Sequence, residues 1–143
     1  MNDITYTNTL SVHDYNTLRE AVGWPSVKEN RAQIGLNNSM FIVSAKHTDG
    51  KTIGMARIVG DGGYVAYISD VAVLPEYQGR GIGKKLMQKT MDFLSSILED
   101  DLTIMVILVA AKGKESFYKQ FDFIERPSEK FGAGMTQWIT AKQ

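Results

Sequence analysis

The feature that most constrains the fold of this chain is a glycine-rich loop between a strand-like segment and a helix-like segment. Residues 71–84 read VAVLPEYQGRGIGK, where an apolar run stops at Pro75 and Gly79, Gly81 and Gly83 precede an amphipathic stretch. Glycine lets the backbone approach a ligand closely, and the free N–H groups at a helix N-terminus attract anions. The loop therefore predicts a cradle for a pyrophosphate, and the alternative is a plain strand-to-helix turn.

The spacing of the loop excludes the two commonest phosphate-binding patterns. The dinucleotide pattern G-x-G-x-x-G is not completed, because Lys84 or Leu86 stands where its last glycine should be. A nucleotide-triphosphate loop needs Lys-Ser or Lys-Thr after its last glycine, and this chain has Lys84-Lys85. What remains is the pattern Gln78-x-x-Gly81-x-Gly83.

At these residues the chain resembles the GCN5-related N-acetyltransferases (GNAT), whose motif is Gln/Arg-x-x-Gly-x-Gly/Ala between a strand and a helix. In that family the loop binds the pyrophosphate of acetyl-CoA. Residues 115–123, ESFYKQFDF, are similar to the family's second signature, Phe-Tyr-x-x-x-Gly-Phe, with Asp122 at the glycine position. The resemblance implies one GNAT domain over residues 1–143. Its fold class would be α/β (α+β), with a mixed, mostly antiparallel central sheet of about six to seven strands flanked by about four helices.

Composition and turn chemistry place the individual elements. Ser11 followed by Asp14 predicts a helix start, Gly23-Trp24-Pro25 ends that helix, and Asp49-Gly50 predicts a hairpin between antiparallel strands. The apolar run 102–109 predicts a strand buried on both faces. Further strands are predicted over 4–7, 40–46, 52–59 and 64–73 (the central strand), with an edge or closing strand that ends near Trp138. Further helices are predicted over 27–36, from Gly81 onward and over 114–121.

Charge and composition exclude several classes of function. Sixteen basic residues balance sixteen acidic ones, so no overall field recruits nucleic acid or an anionic membrane. The chain lacks cysteine and has only two histidines, which predicts no disulfide, no thiolate nucleophile and no metal site. No signal-peptide pattern and no apolar run of about 20 residues is present, so we expect a cytoplasmic protein.

Acyl transfer to an amine requires a route for the amine's proton, because an alkylamine with a pKa of about 10.4 is mostly protonated at neutral pH. In the resembled family this proton leaves near the central strand, where the corresponding positions here are Tyr67, Ser69 and Asp70. Asp70 is the charged candidate for the base, although alternation points it away from the other two unless a bulge intervenes. The alternatives are a water relay through Ser69 and a purely structural aspartate.

The resemblance implies further site residues. Tyr118 is the candidate general acid for the CoA thiolate, since a phenol can protonate a departing sulfur; the alternative is an ordinary core aromatic. Backbone groups of Val71 and Val73 would hold the pantetheine arm, and an N–H of this strand would stabilise the developing oxyanion. The full set of expected acetyl-CoA contacts is Val71, Ala72, Val73, Gln78, Gly79, Arg80, Gly81, Ile82, Gly83 and Lys84. Trp24, Tyr67 and Ser69 are expected to contact the acceptor.

The sequence thus predicts an acetyl-CoA-dependent N-acetyltransferase acting on a small primary amine, aromatic or polyamine in character. One alternative is acetylation of a protein lysine or N-terminus, and another is a non-catalytic acyl-CoA-binding module. Homodimers are frequent among the proteins that this chain resembles, so a homodimer is possible.

Overall fold

Five strands and four helices make up the described part of the chain, residues 3–142 of the computed structural model. The chain divides into two compact units with the boundary after Leu108. The first unit contains, in chain order, β1 (Ile4–Thr7), α1 (Val12–Ala21), α2 (Glu29–Asn37), β2 (Phe41–His47), β3 (Thr52–Gly60), β4 (Val65–Val73), a 3₁₀ turn (Pro75–Tyr77), α3 (Ile82–Ser96) and β5 (Met105–Leu108). The second unit contains α4 (Glu115–Lys119).

The strands of the first unit form one sheet in the order β1-β2-β3-β4-β5. Neighbouring strands are antiparallel except β4 and β5, which run parallel with Val65 opposite Met105. The mixed α+β fold with a mostly antiparallel sheet is therefore confirmed. The predicted count of six to seven strands is wrong for residues 3–142, which form five. The strand predicted to be central, β4, lies beside the middle strand β3.

Two predictions about strands are wrong for identifiable reasons. The strand predicted over 102–109 is shorter and lies at the sheet edge, so Met105 and Ile107 are each 37% exposed rather than buried on both faces. The closing strand predicted to end near Trp138 does not form: residues 120–142 contain neither helix nor strand, and Trp138 is 85% exposed. Gly132 and Gly134 interrupt that segment, and glycine weakens strand formation.

The helix boundaries follow from local chemistry. The hydroxyl of Ser11 accepts the backbone N–H of Asp14 at 3.0 Å, which confirms the predicted start of α1. Gly23 has a positive φ of 89° just beyond the end of α1, a conformation that glycine adopts without strain. The Asp49-Gly50 hairpin is also confirmed, because it joins the antiparallel strands β2 and β3.

The core of the first unit lies on both faces of the sheet. Helix α3 packs against β2, β3 and β4 through a buried stripe of Ile82, Leu86, Met87, Thr90 and Leu94. Phe93 and the C-cap residue Ile97 are half-buried, and Phe93 stacks on Phe41 with ring centroids 4.6 Å apart. Helix α1 packs against β3 and β4 through Tyr15 and Leu18. No helix within residues 3–142 is both long enough and apolar enough to cross a membrane.

The second unit is built around aromatic side chains on and after α4. The ring of Phe117 contacts those of Tyr118 and Phe121 edge to face, with centroids 5.0 and 5.6 Å apart. Tyr118 also lies edge to face with Phe123, at 6.4 Å. Asp122 has a φ of 69°, so at the position where the family signature has glycine it adopts the left-handed conformation that favours glycine.

Candidate active site

The glycine loop has the backbone conformation of an anion cradle. Gly79 and Gly81 have φ values of 80° and 83°, and Gly81 is the N-cap of α3. A Cβ placed on either residue would meet no atom within 4 Å. The glycines are therefore required by the left-handed backbone, and the space in front of them is open to a ligand.

Charge around the loop suits a pyrophosphate. The first turn of α3 has backbone N–H groups without helical partners, and it carries no acidic side chain. Lys84 and Lys85 are exposed on that turn. The guanidinium carbon of Arg80 lies 5.0 Å from the centroid of the Tyr77 ring, which holds the Arg80 side chain beside the loop.

Gln78 ties the loop to the end of β4. Its side-chain amide donates a hydrogen bond to the carbonyl of Val73 at 2.9 Å. The next residue, Leu74, donates its backbone N–H to the carbonyl of Ile53 at 2.8 Å. These contacts fix the turn that leads from the strand into the loop.

Strand β4 contains a bulge at Asp70. Met55 pairs with Ala72 and Arg57 pairs with Ser69, so Asp70 and Val71 together face the single residue between them on β3. Asp70 has a φ of 60°, the left-handed conformation that is usually taken by glycine at the first position of such a bulge. For most residues with a Cβ this conformation costs about 1–2 kcal/mol, and aspartate is one of the few that adopt it.

Three donors hold the carboxylate of Asp70, whose side chain is 7% exposed. Arg19 donates to its Oδ1 at 2.8 Å, and Arg57 Nε and Tyr15 Oη donate to its Oδ2 at 2.7 and 2.9 Å. We call Tyr15, Arg19, Arg57 and Asp70 the Asp70 clamp. Because the bulge is present, Asp70 lies on the sheet face that carries Arg57 and Ser69, which pair in register.

Burial and the contacts within the clamp shift the pKa values of Tyr15 and Arg57. Burial raises the pKa of the Tyr15 phenol, and the negative charge of Asp70 raises it further. Burial acts to lower the pKa of Arg57, but the hydrogen bond and charge of Asp70 outweigh it, so that pKa is raised overall. Two guanidinium groups share one carboxylate, which leaves the clamp with one formal positive charge in excess.

Trp24, Ser69 and Tyr67, the three predicted acceptor contacts, lie near the Asp70 clamp. The Trp24 ring centroid lies 5.5 Å from the guanidinium carbon of Arg19. Ser69 immediately precedes Asp70, and Tyr67 is 37% exposed on β4. Burial raises the pKa of Tyr67, and the charge of Asp70 adds to the effect.

Sequence reasoning missed Tyr15, Arg19 and Arg57. The available signal was Arg57, a charged residue inside the otherwise apolar strand 52–59, because a buried arginine requires a partner. No group of three or more His, Asp or Glu side chains is arranged to hold a metal ion in residues 3–142.

Tyr118 lies on α4 in the second unit, where its half-buried ring packs between Phe117 and Phe123. Burial raises the pKa of its phenol above the ordinary tyrosine value. The phenol therefore stays protonated throughout the neutral range.

Comparison with known proteins agrees with this geometry. A family model described as Acetyltransferase (GNAT) family matches residues 9–123, a range that contains both the glycine loop and Tyr118. An uncharacterized N-acetyltransferase ycf52 of Pyropia yezoensis is 31% identical over 82% of this chain and 67% of its own length. Histone acetyltransferase TAP1 of Glycine max is 32% identical over 82% of this chain and 54% of its own length. The chain thus spans about two thirds of the first relative and about half of the second.

A solved structure extends the likeness. A probable acetyltransferase of unknown function from meticillin-resistant Staphylococcus aureus superposes with a TM-score of 0.82 at 29% identity, covering 94% of this chain and 99% of that one.

Proposed function

Because the chain belongs to the GNAT family of acetyltransferases, we propose that it transfers an acetyl group from acetyl-CoA to the primary amine of a small molecule. The glycine loop carries this proposal. Two glycines in the left-handed conformation lead into α3 after the turn that follows β4, and a Cβ on either would meet no atom within 4 Å. This arrangement suits a ligand that brings a pyrophosphate to the helix and an extended arm to the strand.

The loop and the end of β4 would hold acetyl-CoA, which supplies the acetyl group as an activated thioester. The first backbone N–H groups of α3, from Ile82 to Lys84, would bind the pyrophosphate, because they have no helical acceptor. Arg80 and the Lys84 side chain add positive charge there. The backbone of Val71, Ala72 and Val73 offers hydrogen bonds to the pantetheine arm, and a strand N–H lies ready for negative charge on the acetyl oxygen.

Proton removal from the amine is proposed to run through Ser69 and water. Three donors already occupy most of the acceptor capacity of the Asp70 carboxylate, so it is poorly placed to accept the amine proton. The Ser69 hydroxyl can both accept and donate a proton. Trp24 and Tyr67 offer aromatic surface to the acceptor, and this surface favours an aromatic or cationic amine.

Tyr118 is proposed as the group that holds a proton for the departing sulfur. Burial raises the pKa of Tyr118, so its hydroxyl keeps the proton at neutral pH. A CoA thiol, with a pKa of about 8.5, is a stronger acid than the phenol, so full proton transfer from Tyr118 to the free thiolate is uphill by at least about 2 kcal/mol. Tyr118 therefore acts by donating its O–H to the sulfur as negative charge develops there, and any proton that it gives up is replaced through water by the proton that leaves the amine.

A second candidate acceptor is a protein lysine or N-terminus. The observation that favours it is the relative named Histone acetyltransferase TAP1, which is 32% identical to this chain. A peptide substrate would place its amine at the same position beside Ser69, so the chemistry proposed for proton transfer would be unchanged.

The test is release of free CoA from acetyl-CoA across a panel of small amines and lysine-containing peptides. Calorimetric binding of acetyl-CoA is measured on the same sample. Turnover with a small amine supports the proposal, and turnover with peptides alone supports the second candidate. Binding with no turnover across the whole panel would favour a non-catalytic acyl-CoA-binding protein, and no binding would refute the assignment of the loop.

A further inference from the structure

We infer that Asp70 is a positioning residue, whose clamp by Tyr15, Arg19 and Arg57 fixes the β4 bulge and so directs the peptide groups of residues 71–73 toward acetyl-CoA. The inference rests on the proposed function, because it concerns how the acetyl-CoA arm is held. It assigns Asp70 a role different from that of proton acceptor.

The bulge is the first observation. It inserts one extra residue into β4 directly before Val71, the first of the three residues proposed to bind the pantetheine arm. A bulge rotates the strand that follows it, so the φ of 60° at Asp70 sets the direction in which the next N–H and C=O groups point. Any change in that torsion would redirect them all.

The identity of the bulge residue is the second observation. Glycine would adopt this left-handed conformation without strain, yet the chain has aspartate there. The side chain of Asp70 must therefore contribute something that glycine cannot. Within residues 3–142, the side chain of Asp70 hydrogen-bonds only to the three other members of the clamp.

The anchoring of the clamp is the third observation. Tyr15 and Arg19 belong to α1, and Arg57 belongs to β3, so one carboxylate joins a helix and two strands. Arg19 Nε also donates to the carbonyl of Pro25 at 2.8 Å, and Arg57 Nη1 donates to Ser39 Oγ at 3.1 Å. Both guanidinium groups are therefore fixed by a second partner, which makes them rigid supports for the bulge.

The test compares Asp70→Gly, Asp70→Asn and Arg57→Lys with the wild-type protein. Asp70→Gly retains a residue suited to the left-handed backbone and removes the clamp, whereas Arg57→Lys retains the charge and removes the Nε–H that binds Oδ2. We expect the Kd for acetyl-CoA, measured by calorimetry, to rise on the order of tenfold in each variant, because misdirecting a single hydrogen bond to the arm weakens binding by about that factor. The decrease in rate at acidic pH that protonation of a proton acceptor produces, which is the acidic limb of the pH–rate profile, should remain in each variant.

The matched control is Asp92→Asn, which removes an exposed carboxylate from α3 and should leave Kd, kcat and KM unchanged. Tyr15→Phe removes a single hydrogen bond of the clamp and should raise Kd in the same direction by a smaller factor. This mild variant keeps the test decisive if the Asp70 variants do not fold.

Two outcomes would overturn the inference while leaving the proposed function intact. One is a wild-type Kd for acetyl-CoA in all the folded clamp variants, even with a lowered Tm, because a merely structural clamp would affect stability alone. The other is loss of kcat at constant Kd, with the acidic limb abolished and activity restored by added formate, because that pattern identifies a proton acceptor. Failure of the wild-type protein itself to bind acetyl-CoA would overturn both proposals.

Discussion

Replacing Gly54 by alanine should disturb the glycine loop indirectly, by displacing the start of α3. Gly54 lies on β3 opposite Val73, beneath the first turn of α3. A Cβ at this position would lie 3.0 Å from Leu86 Cδ1, 3.3 Å from the Ala72 carbonyl oxygen and 3.4 Å from Ile82 Cγ2. Ile82 and Leu86 belong to the helix whose N-terminus is proposed to bind the pyrophosphate, so the added methyl group pushes on that helix.

The loss of stability in Gly54→Ala depends on how far the neighbouring atoms can move. Leu86 is fully buried, and the Ala72 oxygen belongs to the backbone of a paired strand, so neither can yield freely. Overpacking of this kind costs about 1–3 kcal/mol, and the reduced entropy of the unfolded chain offsets about 0.4–1 kcal/mol of it. We expect a net loss of about 1–2 kcal/mol in the free energy of unfolding, which lowers Tm by roughly 3–7 °C for a chain of this size.

The assay combines denaturant unfolding with calorimetric binding of acetyl-CoA. Gly54→Ala should be less stable, and it should bind acetyl-CoA more weakly because the first turn of α3 is displaced. The matched control is Gly35→Ala in α2, where the new Cβ would lie 4.0 Å from its nearest neighbour, Arg57 Nη2, in ordinary contact. That variant should gain about 0.5–1 kcal/mol, since alanine is the better helix former.

Two results would refute the reasoning about Gly54. If Gly54→Ala is as stable as the wild-type protein, the core yields more than the contact distances indicate. If it is destabilised as expected but binds acetyl-CoA with unchanged Kd, the packing beneath α3 does not control the loop.

Three further predictions concern single groups. Gly81→Val places a β-branched residue at a φ of 83° and should raise the Kd for acetyl-CoA on the order of tenfold or more, with unaltered calorimetric affinity as the contrary result. Tyr118→Phe should lower kcat by about 100-fold or more. Burial raises the pKa of Tyr118, so the wild-type rate should fall only at a pH above the ordinary tyrosine pKa. The phenylalanine variant should lack this decrease in rate at alkaline pH. Identical pH–rate profiles in the two proteins would exclude the acid role. Ser11→Ala removes the bond to the Asp14 N–H and should cost about 1 kcal/mol of unfolding free energy at unchanged Kd, and equal stability would show that the cap contributes nothing.

The parts of the fold that sequence could predict are those governed by neighbours in the chain. The cap at Ser11, the hairpin at Asp49-Gly50 and the opening of α3 at Gly81 each depend on a few consecutive residues, and all three occur where the pattern placed them. Their outcome is settled by backbone torsions and local hydrogen bonds.

The parts that sequence could not predict depend on partners far along the chain. The hydrogen bond from Tyr15 to Asp70 spans 55 positions, and no local pattern relates the two residues. In the same way, the apolar run of β5 does not reveal whether the strand has one neighbour or two. The strand order shows that, within residues 3–142, β5 has one neighbour.

The bulge at Asp70 lies between these two cases. Alternation along β4 predicted that Asp70 would face away from Ser69 unless a bulge intervened, and the bulge is present. The two arginines that bind its carboxylate come from α1 and β3, and their approach is a property of the tertiary fold that no local pattern predicts.

The strand order also bears on how the chain reaches its folded state. The three inner strands pair across short connections, as between Lys46 and Thr52 or between Gly60 and Ala66. Each outer strand is separated from its neighbour by a helical segment, so that Ile4 pairs with His47 and Val65 pairs with Met105. Closing a loop of some 40 residues rather than 6 costs about 1.7 kcal/mol more in chain entropy. Forming the β2-β3-β4 meander therefore costs the least chain entropy of the native strand pairings, and we expect the two edge strands to join it afterwards.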